Sequence, residues 1–260
     1  MLEALFAAYA STFALVVARI AGFVVGSPFP GSNVSRSQRI GLVMVLAWMT
    51  TSFAHGQARP PAFGLDLILA VVVEVFAGLV IGLTFRLVFA AAEIVGQLLG
   101  QSTGLGMPGV LNPTIEAEDS VFARIVTLLA MLLALAGGVH RLALGYLLAS
   151  FQALPVGGPL FIAGTPMVLI DLIIKSFAVG VQLAMPAVAV AFVVQLGLAI
   201  IARAAPSLQI FNVGHSVLLV TGLAVILTSL RDLGSGLSLH FSSLPDWLDP
   251  VLINLAGQSP

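Results

Sequence analysis

Two opposite charges, Asp171 and Lys175, stand four residues apart in an otherwise apolar run. That spacing puts both on one face of a helix, where carboxylate and ammonium can close into an ion pair. Charges at membrane depth are costly and point by default to function. The pair therefore reads either as a structural salt bridge or as a proton or ion relay. Arg19 and Glu74 are lone charges in two other apolar runs. Each is expected to face protein or water rather than lipid. His55, His140, His215 and His240 are far apart and lack paired ligand spacing, which argues against a metal site. Cysteine is absent, so disulfides, thiolate metal sites and cysteine nucleophiles are excluded. HExxH and Walker A are missing too, and the sequence offers no catalytic constellation and no cofactor site.

A second constellation concerns packing rather than chemistry. Glu93, Gly96, Gln97, Gly100, Gln101 and Gly104 follow helical i, i+3, i+4 spacing. Their face is Glu, Gly and Gln; the opposite face is Ile, Val and Leu. The glycines form two overlapping GxxxG steps that admit another backbone closely, and the glutamines can hydrogen-bond across the contact. The face packs within one bundle, packs on other subunits, or lines a polar passage.

Beyond it runs a Gly/Pro loop, Gly106-Met107-Pro108-Gly109-Val110-Leu111-Asn112-Pro113, ending in the acids Glu116, Glu118 and Asp119. Gly104, Gly106 and Gly109 spell GxGxxG. No strand precedes it and Pro108 interrupts it, so it is not a nucleotide site. Glu118-Asp119-Ser120 are placed to cap the next helix. Loops of this length serve as gates or as plain solvent loops. Farther on, Arg203, Pro206 and Phe211 mark a joint where one long helix stops and another restarts, with Arg203 suited to a helix C-terminus.

The elements that must position these residues are apolar helices. The chain has 260 residues, 59% hydrophobic and only 8% charged, against about 25% charged in an average soluble domain. Its net charge is −1 with a single lysine, which excludes a nucleic-acid binder. The fold class is all-α, a polytopic membrane protein read as one domain over residues 1–260. Apolar runs cover Leu5 to Val25, Ile40 to Phe53, Leu65 to Ala92, Val121 to Phe151, Leu160 to Ile201 and Val213 to Leu230. The second is short for a span. The fifth would be roughly 63 Å as one straight helix, too long for a bilayer, so a break is expected at Pro186. The tail from Arg231 is rich in Ser, Gly and Pro, with Trp247 placed as an interfacial anchor. Arginines in successive loops do not sort to one side, as a free up-and-down bundle requires. Either some runs are not true spans, or the chain folds with partners.

Segments in order along nearly the whole chain, from Ala18-Arg19-Ile20-Ala21-Gly22 through Glu93-x-x-Gly96-Gln97-x-x-Gly100 to Ala202-Arg203-Ala204-Ala205-Pro206, resemble the FliR family of flagellar export-gate membrane proteins, whose virulence-secretion counterpart is the injectisome T component. They are Ala18-Arg19-Ile20-Ala21-Gly22 with Ser27-Pro28; Arg39-Ile40-Gly41-Leu42; Glu74 with Gly78 and Gly82; and Glu93-x-x-Gly96-Gln97-x-x-Gly100. Asn112-Pro113, Ser150-Phe151 with Leu154-Pro155, and Ala202-Arg203-Ala204-Ala205-Pro206 with Phe211 complete the set. Ser35 departs from the family's common proline before the first basic pair.

The resemblance implies a noncatalytic subunit of a helical export gate, built of long hydrophobic hairpins. It implies FliP and FliQ as core partners, FlhB on the outside, and unfolded flagellar proteins as substrates. It further implies an inner-membrane, basal-body location with part of the complex on the periplasmic side, and a plug role for the loop from Gly106 to Ser120. The T component of a virulence injectisome and a secondary transporter of a small solute are the alternatives. The transporter is motivated by the intramembrane charges and opposed by the lack of paired broken helices.

Overall fold

The computed structural model describes residues 2–29, 34–54, 64–102, 121–160, 164–204 and 210–257. They form eight helices: α1 (Leu2–Gly26), α2 (Arg36–Ala54), α3 (Leu65–Ser102), α4 (Val121–Ala136), α5 (Val139–Ala153), α6 (Thr165–Ala204), α7 (Ile210–Ser242) and α8 (Leu244–Leu255). No strand occurs among the described residues. Four helical stretches are long and apolar enough to cross a membrane: Tyr9–Gly26, α3, α6 and Ser216–Leu255. The α4–α5 pair makes a fifth if counted as one broken span. The all-α, polytopic class read from composition is the observed one.

Three boundaries differ from the sequence reading. Helix α6 continues unbroken past Pro186 over 40 residues, about 60 Å of helical rise. Proline removes one backbone hydrogen bond, and neighbouring turns of a long apolar helix absorb that loss without ending it. The apolar run from Val121 to Phe151, in contrast, does break. The break falls at Gly137-Gly138, where Gly138 has φ 75°. A side chain resists that conformation and glycine does not. Finally, the Ser/Gly-rich tail is helical. α7 continues past Leu230 to Ser242, and α8 follows after one turn residue.

The chain gathers into two compact units. The first comprises residues 1–88, 138–173 and 243–260. α2 lays Val43, Ala47, Thr50 and Thr51 inward while Phe13 of α1 meets Trp48 edge-on at 6.5 Å. Its start is a capping box. Ser35 N–H donates to Gln38 Oε1 at 3.1 Å, and Gln38 N–H donates to Ser35 Oγ at 3.4 Å. The amphipathic α8 buries Leu244, Leu248, Val251, Leu252 and Leu255. It packs on α5, whose Val139, Ala143 and Leu147 face inward. Tyr146 OH donates to Asp249 Oδ1 at 2.6 Å across that pair.

The second unit comprises residues 89–137 and 174–242. Small residues set its spacing. Gly96 of α3 lies against Ala123 of α4, and Gly180 of α6 lies against Ala91 and Ile94 of α3. Phe89 and Phe241 pack at 4.8 Å with a 32° tilt.

Candidate functional site

The first unit is organised around a seam between α1 and α3. Gly22 and Gly26 on α1 face the backbone of α3 at Val75 and Leu79, while Gly78 and Gly82 on α3 face the backbone of α1 at Arg19 and Phe23. Each helix thus presents a GxxxG step to the other. A Cβ at Gly82 would lie 2.5 Å from the Phe23 carbonyl oxygen, and one at Gly26 would lie 2.7 Å from the Leu79 carbonyl oxygen. Only glycine permits backbones this close.

That approach brings Arg19 to Glu74, both 2% exposed. Arg19 Nε donates to Glu74 Oε2 at 2.5 Å, and Arg19 Nη1 donates to the Ser150 carbonyl at 2.8 Å. The guanidinium carbon lies 4.5 Å from the centroid of the Phe151 ring, a cation–π contact. The other carboxylate oxygen, Glu74 Oε1, accepts from Gly157 N–H at 3.0 Å. Neither charge faces lipid. Each is matched by the other and by backbone dipoles, as a charge removed from water requires. The separate lone charges of the sequence reading are therefore one pair. Sequence alone did not join them because they are 55 residues apart. The usable signal was the coincidence of two unmatched opposite charges, each one turn from a GxxxG step.

In the second unit the Glu/Gly/Gln face divides into two rows. Glu93, Gln97 and Gln101 are exposed, whereas Gly96 and Gly100 are buried. Gly96 is used inside the chain, where a Cβ would collide with Ala123. The exposed row, at i, i+4 and i+8, runs about 12 Å along α3. Near its end, Gln195 Nε2 donates to the Ser102 carbonyl at 2.9 Å. Elsewhere in this unit, buried Ser176 and His240 meet through Oγ and Nε2 at 3.3 Å.

Asp171 and Lys175 are both exposed on α6. They do not form the expected ion pair; the buried pair among the described residues is Arg19–Glu74. Both side chains reach outward from the helix, where water, lipid headgroups or another chain can meet each charge separately, so nothing within this chain forces them to close. Arg203 is exposed in the last turn of α6, at the negative end of the helix dipole. α6 ends at Ala204 and α7 starts at Ile210, which puts Phe211 in the first turn of α7. Pro206, Gly104, the loop from Gly106 to Pro113 and the capping residues Glu118 to Ser120 lie outside the described residues. No group of three or more metal-ligating side chains occurs among the described residues.

The family model for bacterial export proteins, family 1, matches residues 10–244. The flagellar biosynthetic protein FliR of Aquifex aeolicus is 32% identical over 232 residues, covering 88% of this chain and 89% of that protein. The FliR of Bacillus subtilis is 30% identical over 237 residues, covering 86% and 90%. The FliR of Escherichia coli is 27% identical over 198 residues, covering 75% and 74%. The segments that carry the likeness in sequence include both partners of the buried pair, three of the seam glycines and the Ser150-Phe151 step that receives Arg19. With the family model covering most of the chain, the protein belongs to the FliR family of bacterial export proteins.

Proposed function

We propose that the chain is a noncatalytic subunit of a protein-export gate, assembled with FliP and FliQ in the bacterial inner membrane, through which unfolded flagellar proteins pass. FlhB joins the outside of this assembly, and part of it stands on the periplasmic side. The observation that carries the reading is the exposed Glu93–Gln97–Gln101 row on a helix that is otherwise long and apolar. A charged group at the bilayer centre costs about 2.5–3.5 kcal/mol even on insertion scales, so such a row belongs against protein or water. Family membership favours neighbouring export subunits as the cover. Gly41, Gly145 and Gly197 add support. Nothing lies within 4 Å of the place where a Cβ would sit at each, which leaves room for another helix to approach. Much of α6 is also bare: 17% of its apolar window is buried.

In this reading the loop from Gly106 to Pro113 closes the passage, a role resting on the family resemblance. Replacing Glu93, Gln97 and Gln101 together by leucine should leave the chain helical while abolishing its association with FliP and FliQ and stopping export. Normal assembly and export in that variant would refute the packing role. Deleting Gly106 to Pro113 should make the membrane leaky to ions with assembly intact; a sealed membrane with normal export would refute the plug role.

A further inference from the structure

Buried ion pairs stabilise poorly, because the attraction mostly repays desolvation, and well-packed apolar replacements are often as stable. The Arg19–Glu74 pair is also not needed to bring α1 and α3 together, since the glycine seam already locks their backbones. What the pair uniquely holds is a third segment. Arg19 Nη1 reaches the Ser150 carbonyl, which also accepts from Leu154 N–H at 2.9 Å where α5 ends. Glu74 Oε1 takes the Gly157 amide, in a turn that needs φ 78° at that residue. Between these two anchors Leu154 and Val156 are buried at 5% and 1% exposure. Two side chains from distant helices thus grip both ends of one short turn, the turn that leads toward α6.

We infer that Arg19 and Glu74 are positioning residues for the 154–158 turn, and that their role lies in fixing this turn rather than in overall stability. The inference is independent of the export reading and of any partner. The absence of native cysteine makes a direct test possible. Val156→Cys is introduced in the full-length chain in detergent, alone and with Arg19→Met/Glu74→Leu. Labelling by a maleimide should be slow in the first and at least about tenfold faster in the second, a local opening. A cysteine at Ala47, buried in α2, should label at one rate in both backgrounds, and the unfolding temperature should match. Equal acceleration at both positions, or failure of the paired variant to fold, would make the pair a general stabiliser and overturn the inference. No acceleration at position 156 would show that the turn holds itself. Hydrogen exchange on the unsubstituted chain supplies an independent check. The Gly157 amide should be as protected as amides inside α5; rapid exchange would overturn the inference.

Discussion

Adding one methyl group to the chain should have opposite effects at two glycines. At Gly82 a Cβ would sit 2.5 Å from the Phe23 carbonyl oxygen and 2.8 Å from Ser27 N, whereas ordinary contact begins at 3.4 Å. Both atoms are backbone, so no rotamer change relieves them, and α1 and α3 must part by roughly 1 Å. A gap of that size forfeits a quarter to a half of each contact's attraction along the seam. It also stretches the Arg19–Glu74 pair. Overpacking of this kind costs about 1–3 kcal/mol, and backbone collision places Gly82→Ala at the upper end. Helix propensity returns about 1 kcal/mol. The net loss is about 2 kcal/mol, a fall of about 4–8 °C in unfolding temperature for a chain of this size. At Gly41 nothing lies within 4 Å. Gly41→Ala should gain the propensity term alone and raise the midpoint by about 2–4 °C. The assay is thermal unfolding of the purified chain in detergent, followed by its helical circular dichroism. A Gly82→Ala variant as stable as Gly41→Ala would refute the backbone-to-backbone seam.

Three further outcomes follow from the same geometry. Glu74→Ala strands the Arg19 charge and should cost about 3–5 kcal/mol, whereas Arg19→Met/Glu74→Leu should melt at the temperature of the parent; the same melts measure both. Gly96→Leu drives a side chain into the backbone of Ala123, so it should loosen the isolated chain, detected as faster limited proteolysis between α3 and α4 without any partner present. Lys175→Met should shift the melt by less than about 1 kcal/mol, because Lys175 is exposed and unpaired with Asp171; a larger loss would restore the intrahelical pair.

The existence of the helices was legible in the sequence because apolar runs of span length leave few alternatives. Their joints were less so. Pro186 reads as a breaker but sits within an unbroken helix, while the actual break at Gly137-Gly138 is set by a positive φ that the run's hydrophobicity concealed. The Glu93–Gln101 face was visible as a periodicity, yet periodicity cannot tell which of two adjacent rows the chain itself buries. α4 claims Gly96, and the exposed row is left with Glu93, Gln97 and Gln101. The Arg19–Glu74 pair was hidden because it is made by tertiary approach. Its partners stand in separate apolar runs, and the seam glycines that bring them together carry meaning only once α1 and α3 are known to touch.

The central claim is that this chain's bare polar row and open glycines are surfaces for other export subunits. Co-expression with FliP and FliQ, mild solubilisation and size measurement of whatever the tagged chain retains tests it most directly. The account predicts one large complex containing both smaller membrane proteins. A chain that purifies alone, stable and folded, with FliP and FliQ left behind, would contradict it.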